Sequence, residues 1–189
     1  CRCCFISLPI HWCISAQHGF FTTGSSAIGA APPLFEQIMS IISVRQAAFS
    51  DLAALAALFD RYRQFYGCAS DVHAAREFLS ARFHHGESVL FIALEGDQPV
   101  GFTQLYPSFS SVAMARIFVL NDLFVDALAR RKGGALKLLS AAVAFAIAEG
   151  AVRVSLSTAV TNTTAQALYQ SAGWKRNDAF FVYDFVAPA

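Results

Sequence analysis

From about Ser40 onward, apolar and polar positions alternate in strand and helix periods. Residues 41–44 predict a short first strand. Behind Ser50 as N-cap, Leu52, Leu55, Phe59 and Tyr62 recur at helical spacing, with Asp60, Arg61, Arg63 and Gln64 turned to water. Gly67 ends that helix, and a second is predicted over residues 71–83, before His84-His85-Gly86. Residues 89–94 and 100–106 predict two strands joined by the turn-rich Glu95-Gly96-Asp97-Gln98. A turn over 107–111 leads to a long β-branched and aromatic strand, 115–125. Residues 131–149 predict a largely apolar helix whose polar stripe carries Lys137 and Ser140. A strand over 152–157, a helix over 163–171 and a terminal strand pair over 174–185 complete the chain. The order β-α-α-β-β-β-α-β-α-β-β implies an α/β fold, a mixed sheet with helices on both faces.

Composition separates residues 1–38 from this pattern. They carry only two charges, Arg2 and Glu36, together with four of the five cysteines and Pro32-Pro33. We expect 1–38 to be an extension outside the fold, disordered or upstream of the true start, and 39–189 to be the domain. Cys3, Cys4, His11 and Cys13 do not match a zinc spacing, and the apolar stretch around Pro9 is too short and broken to span a bilayer. The five cysteines form no disulfide framework, so the domain reads as cytoplasmic and reduced. A formal net charge of +1 argues against nucleic acid or an anionic membrane as the main partner.

Candidate chemistry concentrates where the long strand ends. Leu123-Phe124-Val125 runs into Arg130-Arg131-Lys132-Gly133-Gly134-Ala135 and then a helix. Unpaired N–H groups and the helix dipole favour phosphate at such a point, and the glycines allow close backbone approach. Neither a P-loop nor a dinucleotide-binding glycine pattern is present. A helix start with merely solvated basic residues is the alternative.

Arg130-x-x-Gly133-x-Ala135 resembles the R/Q-x-x-G-x-G/A acetyl-CoA motif of the GNAT superfamily of N-acyltransferases. Asn162-Thr163-Thr164-Ala165-Gln166-Ala167-Leu168-Tyr169, continuing to Gly173-Trp174, is similar to the family's N-x-x-A-x-x-L/F-Y segment, and Val100-Gly101-Phe102 to its V-G-F strand. The resemblance runs from about Ile41 to about Phe185. It implies a mostly antiparallel GNAT sheet and acetyl-CoA as acyl donor, with no metal. The pantetheine arm would lie along the backbone of Leu123, Phe124 and Val125, and the pyrophosphate on residues 130–135. Asn162 and Ala165 would orient the donor from the next helix.

The resemblance also makes Tyr169 the candidate general acid for the leaving thiolate; packing against Trp174 is the alternative. The family's glutamate base falls at Asn121, which cannot take a proton. Asp122 is adjacent, but strand alternation sends it to the other face unless a bulge re-aims it. Glu87, Asp71 or a water chain remain as substitutes. Tyr66 and Tyr106, within an aromatic set that includes Tyr62, Phe65 and Phe109, are candidates for binding the acceptor, although core packing also explains such rings. His84-His85 reads as a helix C-terminal pair. The expected function is acetyl transfer to a primary amine of a small molecule or peptide by direct attack in a ternary complex. The rival is an acyl-CoA-binding module without transfer, and a homodimer is left open.

Overall fold

A computed structural model of the protein describes residues 42–188. The extension over 1–38, with Cys3, Cys4, His11 and Cys13, lies outside the described residues. The elements are β1 (Ile42–Gln46), α1 (Leu52–Phe65), α2 (Val72–His85), β2 (Val89–Glu95), β3 (Gln98–Ser110), β4 (Ala115–Val125), α3 (Gly134–Ala148), β5 (Arg153–Ser155) and α4 (Thr163–Ser171). The five strands lie side by side in chain order, antiparallel except for the parallel β4–β5 pair. Each antiparallel pair is joined by a short connection or by the α1–α2 hairpin, whereas β4 and β5 need the crossover through α3.

Two cores sandwich the sheet. On one face Leu52, Leu55, Leu58 and Phe59 of α1 and Leu79 of α2 bury against Leu90, Ile92, Phe102 and Phe124. On the other, Leu138, Leu139 and Ala142 of α3, with Ala165 and Tyr169 of α4, bury against Phe91, Leu105, Phe118, Leu120, Leu123 and Val125. A fully buried Leu or Phe contributes about 1.5–3 kcal/mol, so these faces fix which side each strand residue takes.

Several element ends differ from the sequence expectation. The first helix is preceded by a 3-10 turn, and Asp51, not Ser50, ties it down by accepting the Ala48 N–H at 2.8 Å and pairing with Arg45. β3 runs on through Pro107 to Ser110. Its pairing with β2 ends at Leu105, so beyond that point only β4 flanks it and a residue without an N–H is tolerated. The apolar helix begins at Gly134, after the basic residues.

The order agrees through α4, but the terminal strand pair is a correction: residues 174–188 form no strand. At the β5 end of the sheet the edge is only three residues long, a poor template for a ladder. Phe180, Phe181, Val182, Tyr183 and Phe185 consequently stay exposed despite their β-forming side chains. Among the described residues no helix is long and apolar enough to cross a membrane.

Candidate active site

The pairing of β3 with β4 slips by one residue between Gln104↔Asp122 and Leu105↔Leu120, leaving Asn121 unpaired as a bulge. The slip reverses side-chain parity along β4. Phe118 and Leu120 face α3 and α4, and so do Leu123 and Val125 after it, while Phe124 faces α1 and α2. Asp122 is thereby turned toward α1, where it meets Tyr62. An unbulged strand would have aimed it with Leu120 into the opposite core. The buried Thr103 hydroxyl donates to the Asp122 carbonyl at 2.7 Å, satisfying the backbone at the bulge.

Asp122 is 4% exposed. The Tyr62 hydroxyl donates to its carboxylate, as does the Asn121 amide at 3.2 Å. Burial outweighs both donors and pushes its pKa up to about 6. Gln104, its cross-strand partner, is wholly buried with both amide atoms lacking a hydrogen-bond partner among the described residues. Tyr62 in turn hydrogen-bonds to Tyr66, one helical turn on, with ring centroids 5.0 Å apart. Tyr66 lies close enough to Tyr169 of α4 to raise its phenol further, after burial has already done so. Four side chains, Tyr62 of α1, Tyr66 at its C-cap, Asp122 of β4 and Tyr169 of α4, thus converge.

Beside this cluster the sheet opens. β4 pairs with β5 only from Ile117 to Val119, so its stretch from Leu120 to Val125 has no described strand on that side. The stretch leads into the loop before α3, where Arg131 (φ +63°) and Gly133 (φ +80°) both take the left-handed conformation. The first intrahelical bond at this end runs from the Lys137 N–H to the Gly133 carbonyl, which leaves the N–H groups of 134–136 directed out of the helix end. Arg131, Lys132 and Gly133 are exposed. An extended chain with an anionic end fits this edge and helix start.

The sequence-predicted residues divide accordingly. Leu123, Phe124 and Val125 have core side chains, so only their backbone is available to a ligand. Arg130 donates from Nε to the Val125 carbonyl at 2.9 Å, stapling the loop to the strand end, and Lys132 pairs with Glu95 at 2.5 Å. A Cβ on Gly134 would come 3.1 Å from Ile42 Cδ1, and Ala135 is buried behind it. Asn162 caps α4 by accepting the Ala165 N–H at 3.2 Å, and Ala165 is wholly buried. Tyr169 packs on Trp174 at 6.2 Å between centroids while lining the cluster. Tyr106 is half-buried near Asp122, Arg82 and Glu87; burial first, then Asp122, holds its phenol protonated. Of the substitute bases, Asp71 is spent on capping α2 through the Ala74 N–H, and Glu87 is paired with Arg82. The Asn121 side chain is exposed and serves Asp122.

The sequence model of the Acetyltransferase (GNAT) family matches residues 54–174, which spans both the open strand and the helix that carries Tyr169. The chain belongs to the GNAT acetyltransferase family. GNAT proteins use acetyl-CoA as acyl donor, in keeping with the open edge and basic helix start. The Bacillus subtilis (strain 168) protein named "Uncharacterized N-acetyltransferase YhfO" is 48% identical over 148 residues, covering 78% of this chain and 99% of that protein. A solved structure described as a probable acetyltransferase is 41% identical, with a TM-score of 0.74 over 78% of this chain and 99% of its own. An aminoglycoside acetyltransferase from an uncultured soil metagenomic sample, solved with trehalose, has a TM-score of 0.65 over 79% of this chain and 99% of its own. At 21% identity, it shares the fold.

The sequence placed Tyr62 on the helix's apolar face and in the aromatic set at the acceptor side, but not with Asp122. Its i, i+4 spacing from Tyr66 was visible, whereas the carboxylate that Tyr62 meets comes from another element.

Proposed function

We propose that residues 39–189 form an N-acetyltransferase domain that moves the acetyl group of acetyl-CoA to a primary amine of a small molecule or peptide, by direct attack within a ternary complex. The observation that carries this reading is a buried carboxylate, Asp122, turned by the bulge into the tyrosine cluster beside an open strand edge. The backbone of 120–125 would hold the pantetheine arm, and the N–H groups of 134–136 with Arg131 and Lys132 the pyrophosphate. Arg130 acts chiefly by holding the loop against Val125.

Asp122 serves as general base. A carboxyl with its pKa near 6 is ionised at neutral pH yet basic enough to accept a proton in the reaction. Tyr169, kept protonated by burial, donates to the departing sulfur. Tyr106, near the Arg82–Glu87 pair, lines the acceptor side with Tyr66.

The test is release of CoA thiol from acetyl-CoA with a panel of amines (a polyamine, an amino sugar, free amino acids and a peptide with a free N-terminus), paired with calorimetric binding of acetyl-CoA. Amine-dependent release supports the reading. Tight binding with no release under any amine would favour a non-catalytic acyl-CoA-binding module.

A further inference from the structure

On the sheet face that α1 and α2 cover, β2, β3 and β4 set their side chains in ranks across the strands. One rank is Ile92, Phe102 and Phe124, and the Tyr62 ring packs on its two phenylalanines with centroids 5.8 and 6.1 Å away. The next rank is Leu90, Gln104 and Asp122. Beyond it Tyr106 and its partner Val119 are only half-buried, so solvent lies in that direction. Gln104 has no exposed surface, and neither its Oε1 nor its Nε2 has a hydrogen-bond partner among the described residues. The Ser88 hydroxyl, two residues before Leu90, is buried and equally unpartnered among them. Strand alternation carried back from Leu90 puts it on this same face. Two unpaired polar side chains thus lie at one end of the face, one of them beside Asp122.

An amide left unpaired in an apolar interior costs about 1–3 kcal/mol, and buried polar groups are nearly always paired for that reason. Methionine or leucine would fill the place of Gln104 without the cost, so the amide points to a partner from outside the fold. Gln104 and Asp122 stand directly opposite each other in the β3–β4 pair, which sets their Cβ atoms about 4.5–5.5 Å apart.

We propose that Gln104 is a specificity-determining residue of the acceptor site, holding a neutral hydroxyl or amide oxygen carried by the carbon next to the one that bears the acceptor amine. This rests on the acetyltransferase reading above, in which the amine nitrogen comes to Asp122. An amine that approaches Asp122 from the half-buried side passes Tyr106, two residues from Gln104 on the same strand and face. With the nitrogen at Asp122, the atoms one carbon away fall opposite, at Gln104. Glutamine offers a donor and an acceptor and carries no charge. A hydroxyl or an amide answers both, and an alkyl group answers neither. A carboxylate answers only the donor and brings a second negative charge beside Asp122. The acceptors selected are therefore amino alcohols and amino amides, over plain alkylamines and amino acids with a free carboxylate.

The test uses the full chain as wild type, Gln104→Met and Gln104→Leu. Methionine keeps the unbranched shape and removes both polar atoms, so denaturant unfolding should match or exceed wild type. A clear loss of stability in both variants would give the amide a partner inside the fold and overturn the proposal. Thiol release from acetyl-CoA is then compared for ethanolamine against propylamine and for glycinamide against glycine, with rates expressed per neutral amine. Wild type should prefer the first of each pair by about tenfold or more in kcat/KM. Gln104→Met should lose most of the ethanolamine preference, mainly through a raised KM. A preference that survives the substitution, or no preference in wild type, overturns the proposal; so does an equal response of all four amines, which would leave the amide holding water alone. A second measurement needs no transfer. With CoA present, the Gln104 side-chain NH₂ signals in nitrogen–proton NMR spectra, identified by their loss in Gln104→Met, should move with ethanolamine and stay with propylamine. Should no amine release thiol, the acetyltransferase reading fails, and these signals decide the site by themselves: movement with ethanolamine alone supports it, and no movement overturns it.

Discussion

Thr103 and Asp122 are joined across the sheet by a buried hydrogen bond, the Thr103 hydroxyl donating to the Asp122 carbonyl at 2.7 Å where β4 bulges. The bond satisfies a carbonyl at the break in the ladder and so supports the geometry that turns Asp122 toward α1. Thr103→Val keeps the shape and removes the donor, which should cost about 1–3 kcal/mol for an unpaired buried carbonyl. Thermal unfolding should register that loss, and turnover should drop further as Asp122 loses its aim. Wild-type turnover at reduced stability would detach the bulge from catalysis.

Asp122→Asn separates catalysis from stability. Folded Asp122 holds its proton to about pH 6, an unfolded aspartate only to about 3.9. Between these values the native state binds more protons, so this group's effect on stability worsens as pH rises and levels off above 6. The ionised carboxylate then withholds about 2–3 kcal/mol from the fold. Asparagine removes that penalty but accepts fewer hydrogen bonds, so denaturant unfolding at pH 8 should show a gain of up to about 2 kcal/mol that vanishes near pH 4. Turnover should fall on the order of 10²–10⁴. A stability loss at pH 8 would mark Asp122 as a structural anchor.

Gly133 tests the donor site. A Cβ there meets nothing within 4 Å, so strain comes only from φ +80°; Gly133→Asp should cost the fold about 1–2 kcal/mol. The added carboxylate sits at the helix start, and calorimetry should show acetyl-CoA affinity reduced by at least tenfold. Arg130→Ala should weaken binding more mildly, through a loosened loop, by about 1 kcal/mol. Unaltered affinity in both variants would remove this loop from the donor site.

Tyr169→Phe keeps the ring packed on Trp174 and deletes one oxygen. Stability should change by about 1 kcal/mol or less, acetyl-CoA affinity should hold, and turnover should fall by about 10²–10⁴. Because burial keeps this phenol protonated above its ordinary range, wild-type activity should stay flat on the alkaline side past pH 9. Normal turnover in the Phe variant would leave Tyr169 as packing alone.

Sequence and structure agree where one element's own pattern decides. β4 and α4 have the expected bounds because a long β-branched run, and an Asn162 cap before an apolar period, are local signals. The bulge had no such signal: residues 117–120 and 123–125 are apolar at even and odd positions alike, and only packing puts Phe118, Leu120, Leu123 and Val125 on one face. The meeting of Tyr62 with Asp122 had none either, since it depends on α1 crossing the sheet over a bulge some 60 residues away in the chain. The terminal strands were misread because the β-forming residues 180–186 describe only themselves, and a strand also needs an edge.

The most direct test of the central claim is mass spectrometry of amine mixtures incubated with the protein and isotopically labelled acetyl-CoA. Labelled acetyl groups should appear on the nitrogen of a primary amine, in step with CoA thiol release, and be lost in Asp122→Asn and Tyr169→Phe. Acetyl-CoA that binds but leaves its label on no amine, or label that accumulates equally with both variants, would contradict the account.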